Sequence, residues 1–184
     1  MRVIAGSARR RNLVCPSGGK TRPTTDRIKE TLFNMIQTEL MDARFLDLFS
    51  GSGGIGIEAL SRGSRECVFV ERAKEAISCI RTNLQNTGFT EQSCLLTMDI
   101  MQALKRLDMQ GEAFDIIFMD PPYEKGFEEK VIPFLLQSSI VKKGTLLILE
   151  TSLAHGDSQK DCYPVALERY KEYKTNCHLF YRVE

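Results

Sequence analysis

Short apolar runs alternate with helical patterns between residues 44 and 149, and this alternation constrains the fold more than any other feature of the sequence. The apolar runs are predicted strands at 45–49, 67–70, 94–98, 116–119 and 146–149. Helical spacing of apolar residues predicts helices at 54–62, 73–87, 100–107 and 127–137. Buried strands joined by helices are typical of a parallel sheet that is covered on both faces.

The two ends of the chain depart from this alternation. Apolar pieces at 2–4 and 11–14 predict a small hairpin, and a helix is predicted at 26–40. Residues 165–173 and 177–183 predict two antiparallel strands at the edge of the sheet. The sequence therefore predicts a doubly wound, mostly parallel, seven-stranded α/β sheet with a C-terminal antiparallel hairpin. The polar segment 153–163, before that hairpin, has a poor helical pattern.

The length of 184 residues suits one hydrophobic core and is short for two. We therefore predict a single domain at 1–184, made of a basic extension at 1–42 and a core at 43–184. No apolar run approaches the roughly 18–20 residues that a membrane span needs, and no secretory leader is expected. Six cysteines without a C-x-x-C pair and two distant histidines predict free thiols, no metal and a cytoplasmic location.

Charge is distributed unevenly along the chain. Residues 1–30 contain eight basic and two acidic residues, a net charge of +6, whereas the remainder contains 17 basic and 22 acidic residues, a net charge of −5. A basic arm on a mildly acidic body predicts a polyanionic partner that docks at one end. The alternative is a basic terminus that is merely solvated.

A glycine-rich turn follows the first predicted strand. Gly51, Gly53 and Gly56 satisfy G-x-G-x-x-G, and Glu71 ends the second predicted strand twenty residues after Gly51. Such glycines allow the backbone to approach a ligand at a helix N-terminus, and the acid can accept hydrogen bonds from ribose hydroxyls. The pattern favours a nucleoside-containing cofactor over a plain tight turn, although a dinucleotide uses the same spacing.

Two aspartates bear on which cofactor this is. Asp47 would oppose a pyrophosphate but suits the ammonium group of a cationic cofactor such as S-adenosylmethionine. Asp99 follows the third predicted strand and could accept a hydrogen bond from an adenine amino group, with the Ile100 backbone N–H facing a ring nitrogen. The alternative role of Asp99 is to cap the helix that begins near Ile100; the two roles are compatible, and the cofactor role is favoured.

The fourth predicted strand ends in Asp120-Pro121-Pro122-Tyr123. The two prolines stiffen the backbone, so that the Asp120 carboxylate and the Pro121 carbonyl can accept hydrogen bonds from one NH2 group. Tyr123 offers a face on which a base can stack. This arrangement suits methyl transfer to an exocyclic amine of a nucleobase, because two acceptors aim the nitrogen lone pair at the methyl group. The alternative is an ordinary turn beside a buried tyrosine.

Together, residues 47–56 and 120–123 resemble the amino-group class of S-adenosylmethionine-dependent methyltransferases, whose sheet is Rossmann-like. Residues 2–6, 22–24 and 26–34 are similar to the bacterial RsmD family, whose members methylate the N2 amino group of a guanine in 16S ribosomal RNA. The resemblance extends over nearly the whole chain. Gly54-Ile55 departs from the Ala-Leu that is more usual after Gly53.

The resemblance implies a role for each motif. Gly51, Ser52 and Gly53 would line the methionine and ribose of S-adenosyl-L-methionine. Glu71 would hold the ribose hydroxyls, and Asp99 with Ile100 would meet the adenine. Residues 120–123 would hold the guanine, and Arg22 and Thr24 would lie near the substrate entrance.

The expected partner is 16S ribosomal RNA or the assembling small subunit, with the chain acting as a monomer. The basic residues expected to neutralise backbone phosphates are Arg9, Arg10, Arg11, Lys20, Arg22, Arg27 and Lys29. The target base should be unstacked or flipped. Three rival interpretations stay open: an adenine-N6 methyltransferase acting on DNA or RNA, a nicotinamide-dependent oxidoreductase, and an RNA-binding module with a decayed cofactor site.

Overall fold

The computed structural model describes residues 1–16, 26–122 and 125–184, and these residues form seven strands and six α-helices. The strands are β1 Arg44–Leu48, β2 Glu66–Val70, β3 Ser93–Leu96, β4 Ile116–Met119, β5 Leu146–Ser152, β6 Ala166–Glu172 and β7 Asn176–Arg182. The helices are α1 Asp26–Met35, α2 Gly54–Ser61, α3 Lys74–Thr87, α4 Ile100–Gln110, α5 Glu128–Leu136 and α6 Leu153–Gln159, with a 3-10 turn at Gln37–Glu39.

The strand order of the sheet is β3-β2-β1-β4-β5-β7-β6. Strand β2 is parallel to β1 and to β3, and β4 is parallel to β5. Strand β7 is antiparallel to both β5 and β6. The predicted seven-stranded, mostly parallel α/β sheet with an antiparallel C-terminal hairpin is therefore confirmed.

The chain divides into two compact units, Met1–Ile100 and Met101–Glu184. In the first unit, the buried side chains of β1 and β2 include Phe45, Leu46 and Phe69. In the second unit, β4 is buried along its whole length and β5 at all but its last residue, Ser152. Strands buried on both faces explain why their sequences are continuous apolar runs rather than alternating ones.

A buried ionic cluster in the first unit attaches the N-terminal residues to α2. The Glu58 carboxylate accepts hydrogen bonds from the backbone N–H groups of Ile4 and Ala5, at 2.8 and 3.0 Å. The same carboxylate forms ion pairs with Lys29 of α1 at 3.2 Å and Arg62 at 2.9 Å. Burial lowers the pKa of Lys29, an effect that the charge of Glu58 opposes.

The predicted N-terminal hairpin is present, with one antiparallel bridge between Arg2 and Asn12 and backbone bonds from the Val3 N–H to the Arg11 carbonyl and from the Leu13 N–H to the Met1 carbonyl. Its turn also bonds to the end of α2: the N–H of Ser7 donates to the Ser61 carbonyl, and the N–H of Ala8 donates to the Ser61 hydroxyl. Gly6 has a φ of +83°, and a Cβ there would lie 1.7 Å from the Ser61 carbonyl oxygen. This close approach attaches the turn of the hairpin to α2.

Two helices differ from their predictions. The helix predicted at 26–40 ends at Met35, although Ile36 and Leu40 remain buried because a 3-10 turn keeps both on the apolar side. The polar segment 153–163 contains α6, although its pattern is poorly helical. Ser152 caps this helix by accepting a hydrogen bond from the His155 N–H, and Gly156 allows close packing against Cys177.

Within the described residues, no helix is both long and apolar enough to span a membrane. In the same part of the chain, no group of three or more His, Cys, Asp or Glu side chains is arranged to hold a metal ion.

Candidate functional site

The chain passes from β1 into α2 through a turn that needs left-handed backbone. Phe49, Gly51 and Gly53 have φ values of 62°, 55° and 79°. The Ser50 hydroxyl donates to the Asp47 carbonyl at 2.6 Å and accepts from the Val70 N–H at 3.0 Å. The turn is thereby fixed to the end of β2.

The three glycines of this turn have different surroundings. A Cβ at Gly56 would lie 2.3 Å from the Phe69 ring, so this glycine allows α2 to pack closely on β2. A Cβ at Gly53 would touch Ile80 at 3.3 Å. At Gly51, no atom of the described residues lies within 4 Å of the corresponding position. The turn is therefore open at Gly51, where a ligand could approach the backbone.

Glu71 joins the glycine turn to the start of α3. One carboxylate oxygen accepts a hydrogen bond from the Gly51 N–H at 2.9 Å. The other accepts from the N–H groups of Arg72 and Ala73, both at 2.8 Å. A carboxylate has about four acceptor positions, so capacity remains for a ribose hydroxyl. Glu71 is partly exposed, as a ligand-binding carboxylate must be.

Asp47 lies inside the first unit rather than on its surface. Its side chain is 1% exposed, and its carboxylate accepts a hydrogen bond from the Gly56 N–H at 3.0 Å. Burial raises the pKa of Asp47 to about 7; the Gly56 bond opposes this rise and the charge of Glu71 adds to it. In this structure Asp47 fixes the first turn of α2 to β1, a role that the sequence did not predict.

Asp99 directly precedes α4, whose first residue is Ile100. Its carboxylate lies 3.6 Å from the Arg72 guanidinium, with the Asp99 side chain 41% and the Arg72 side chain 64% exposed. Such a surface ion pair contributes little to stability. Ile100 is 4% exposed. Both predicted adenine contacts thus lie at a helix N-terminus in the same unit as Glu71.

Asn83 is a residue of this region that the sequence reasoning missed. Its side chain is fully buried and bonds to Val14 and to the Ser52 carbonyl of the glycine turn. The signal was available, since Asn83 is a polar residue on the apolar face of α3 that contains Ile80 and Leu84. Periodicity alone could not identify its partners.

The predicted RNA-contacting residues divide into three groups: exposed, buried, and outside the described residues. Arg9, Arg10, Arg11 and Arg27 are exposed. The prediction for Lys29 is wrong: its side chain is fully buried, and its ammonium group bonds to Glu58 and to the Arg2 carbonyl, so it is unavailable to a phosphate. The predictions for Lys20, Arg22 and Thr24 fall outside the described residues.

In the second unit, Asp120-Pro121-Pro122 follows β4 at its carboxyl end. Asp120 is partly exposed, Pro121 is buried and Pro122 is exposed. Tyr123 falls outside the described residues. Met119, the last residue of β4, pairs with Leu149 of β5. Asp120 therefore follows β4 at the same level at which Glu150 follows Leu149 in the neighbouring parallel strand.

Glu150 belongs to a buried polar chain that the sequence reasoning also missed. Its carboxylate contacts the His178 Nε2 at 2.9 Å and accepts from the Asn176 side chain at 2.6 Å. The other ring nitrogen of His178 lies 3.1 Å from the Tyr173 hydroxyl. Burial also raises the pKa of Tyr173. These residues come from β5, β7 and the turn before β7, and no sequence motif links them.

The doubly wound sheet, its glycine turn and the acid that follows β2 are features of the S-adenosylmethionine-dependent methyltransferase fold. An RNA methyltransferase from Salinibacter ruber, solved with S-adenosyl-L-homocysteine, has this fold: the TM-score is 0.69 at 17% identity, covering 88% of this chain and 94% of that one. Over residues 1–182 the chain matches the family described as conserved hypothetical protein 95, and it belongs to that family.

Two nearer relatives share most of the chain. The ribosomal RNA small subunit methyltransferase D of Haemophilus influenzae is 36% identical over 152 residues, which cover 82% of this chain and 78% of the relative. The solved structure of yhhF from Escherichia coli superposes with a TM-score of 0.87 at 31% identity, covering 100% of this chain and 98% of that one.

Proposed function

We propose that this chain transfers a methyl group from S-adenosyl-L-methionine to the exocyclic N2 amino group of a guanine in small-subunit ribosomal RNA. Membership of the family and the name of the Haemophilus influenzae relative support an RNA substrate of the small subunit. The choice of guanine N2 rests on the resemblance of the motifs and on the chemistry of residues 120–123.

The first unit would bind the cofactor. The open face at Gly51 suits a group that lies against the backbone, with Ser52 and Gly53 beside it. Glu71 has acceptor capacity left for a ribose hydroxyl, and Asp99 with Ile100 would meet the adenine. The cofactor supplies a methyl group activated by a positively charged sulfur.

The second unit would hold the target base. The Asp120 carboxylate and the Pro121 carbonyl would accept hydrogen bonds from the guanine amino group, with Pro122 keeping the backbone stiff and Tyr123 stacking on the base. Two acceptors favour the pyramidal nitrogen that attacks a methyl group. Asp120 would also stabilise the positive charge that develops, and would take the proton directly or through water.

The exposed arginines of the first unit would bind the RNA backbone. Arg10, Arg11 and Arg27 would neutralise phosphates, and Arg22 and Thr24 would lie at the substrate entrance. The proposal includes a single functional domain over 1–184, a monomer, a cytoplasmic location, and 16S ribosomal RNA or the assembling small subunit as partner.

The observation that carries the proposal is the preformed glycine turn, which Glu71 holds by the Gly51 N–H in a chain that also places Asp120-Pro121-Pro122 at the end of a buried parallel strand. A nicotinamide-dependent enzyme would need the glycine turn but not the Asp-Pro-Pro segment. An amino methyltransferase needs both.

The test is a methyl-transfer assay with labelled S-adenosyl-L-methionine on naked 16S ribosomal RNA, assembled small subunits and duplex DNA. We expect label in one or both ribosomal substrates, and mass spectrometry of the digested RNA should identify N2-methylguanosine. Label in N6-methyladenine would contradict the target assignment. Binding of NAD in preference to S-adenosyl-L-homocysteine, measured by calorimetry, would contradict the cofactor.

Asp120→Asn tests the catalytic assignment in the same assay. We expect kcat to fall by about 10²–10⁴-fold, because the carboxylate that stabilises charge and accepts the proton is lost. Affinity for S-adenosyl-L-homocysteine should stay within about twofold, since the cofactor residues are unchanged. Asp161→Asn, an exposed site in the same unit, is the matched control. Methylation at the wild-type rate by the Asp120 variant would exclude this role.

A further inference from the structure

Asn83 connects two parts of the first unit that the proposed function uses separately. Its Oδ1 accepts a hydrogen bond from the Val14 N–H at 2.8 Å. Its Nδ2 donates to the Val14 carbonyl at 2.9 Å and to the Ser52 carbonyl at 2.9 Å. Both amide hydrogens and the amide oxygen are therefore engaged. The side chain pairs with Val14 as a neighbouring strand would, and its remaining hydrogen holds the glycine turn.

Val14 ends the N-terminal arm, which we define as residues 1–14. The arm folds back on itself through backbone bonds from the Val3 N–H to the Arg11 carbonyl and from the Leu13 N–H to the Met1 carbonyl, both 2.9 Å. Arg9, Arg10 and Arg11 are exposed at its turn. Only two residues, Asn12 and Leu13, lie between Arg11 and Val14, so a ligand that orders these arginines also orders the peptide that Asn83 holds.

The other end of the connection is Ser52, between two glycines with positive φ. Glu71 fixes the turn through the Gly51 N–H, and Asn83 fixes it through the carbonyl of the next residue, Ser52. A turn rich in glycine loses much conformational entropy when it is ordered. Contacts that order it in advance therefore reduce the entropic cost of binding a ligand there.

We propose that Asn83 is a positioning residue that fixes the Ser52 carbonyl to the N-terminal arm and thereby couples RNA binding on the arm to cofactor binding at the glycine turn. The inference rests on the proposed function for the identity of both ligands. Linkage requires the coupling to be reciprocal: RNA tightens the cofactor, and the cofactor tightens RNA by the same factor.

The experiment measures the dissociation constant of S-adenosyl-L-homocysteine by calorimetry with and without saturating 16S ribosomal RNA. In the wild-type chain we expect the cofactor product to bind about fivefold more tightly with RNA present. Asn83→Asp keeps one acceptor but loses both donated bonds, and Asn83→Leu removes all three bonds while keeping an apolar side chain of similar volume. Both variants should weaken binding of the cofactor product by about tenfold and reduce the RNA effect to less than about twofold.

Asn86→Asp is the matched control, because it makes the same chemical change on the exposed side of the same helix. It should keep both the wild-type affinity and the RNA effect. A merely structural role for Asn83 would lower the unfolding midpoint but leave the affinity of the folded protein and its response to RNA unchanged, and that result would overturn the proposal. An absent RNA effect in the wild-type chain would also overturn it.

The measurement without RNA separates this inference from the proposed function. If the chain methylates another substrate, Asn83→Asp should still weaken S-adenosyl-L-homocysteine binding relative to Asn86→Asp. If the wild-type chain does not bind S-adenosyl-L-homocysteine, the proposed function itself fails.

Discussion

Glu58 in the first unit and Glu150 in the second are both buried, but they have different partners. Glu58 is fully buried and contacts two basic side chains, Lys29 and Arg62, as well as two backbone N–H groups. Glu150 in the second unit is 4% exposed and contacts a histidine and an asparagine side chain.

The difference shows two ways of holding a buried carboxylate. Arginine does not lose its charge in proteins, so Arg62 stays a cation beside Glu58, and the cluster holds the N-terminal arm against α2. Glu150 is held instead by an imidazole ring and an amide, neither of which carries a permanent charge. Removing the carboxylate should therefore leave a permanent buried cation without its counter-charge only in the first of these two clusters.

The largest expected effect comes from breaking the first cluster. Glu58→Gln leaves Lys29 and Arg62 buried without a carboxylate, and we expect a loss of about 3–5 kcal/mol in the free energy of unfolding. Urea denaturation measures it. Glu75→Gln, at an exposed position in the first turn of α3, should change stability by less than about 0.5 kcal/mol. Equal effects of the two substitutions would contradict the proposed importance of the cluster.

Asp47 sharpens the comparison because it is a buried acid in the first unit whose described partner is a backbone N–H. Its pKa is about 7 in the folded chain against an ordinary value of 3.8, so the folded state binds more protons between these values. Stability should therefore fall as pH rises from about 4 to about 7, by up to about 4 kcal/mol, and level off above. Asp47→Asn cannot ionise and should remove this fall in urea denaturation series across that range. A slope that persists in the variant would show that another group causes it.

A smaller effect is expected in the second unit. Glu150→Gln keeps one acceptor and leaves no permanent cation buried without a counter-charge, so we expect a loss of about 1–3 kcal/mol. The same denaturation measurement applies. Glu129→Gln, at an exposed position on α5, is the control. A loss as large as that of Glu58→Gln would mean that the two clusters do not differ in the way described.

The smallest effect on stability is expected outside both clusters. Arg10→Glu with Arg11→Glu changes exposed side chains and should alter stability by less than about 0.5 kcal/mol. RNA binding should weaken, and its dependence on salt should become less steep by about one unit of logarithmic slope for each lost phosphate contact. Filter binding at several salt concentrations measures both. Unchanged RNA affinity at low salt would remove these arginines from the interface.

The sequence predicted the fold well because the responsible signals are local. Apolar runs, glycine positions and Pro-Pro are visible within a few residues, and they placed the seven strands and the turn at Gly51. The long-range pairings were not visible. Lysine side chains are usually exposed, yet the Lys29 side chain is buried in an ion pair with Glu58, 29 residues further on in the chain.

Asn83 is a second residue whose long-range partners the sequence did not reveal. Its position on the apolar face of α3 indicated that it was unusual, but its partners lie 69 and 31 residues away in the chain. The poorly helical α6 needed a capping hydroxyl and a glycine that fits against Cys177, and both depend on tertiary packing. Periodicity reports which side of an element is buried, whereas partners are decided by how the elements assemble.

Strand β6, one of the two edge strands of the sheet, has a consequence for how copies of the chain meet. It carries Glu168, Arg169, Lys171 and Glu172, and its pairing with β7 is irregular between Leu167 and Arg169. Charged side chains and a bulge make a strand a poor template for a neighbouring backbone. At high concentration this border should resist the edge-to-edge growth by which exposed strands begin to form fibrils.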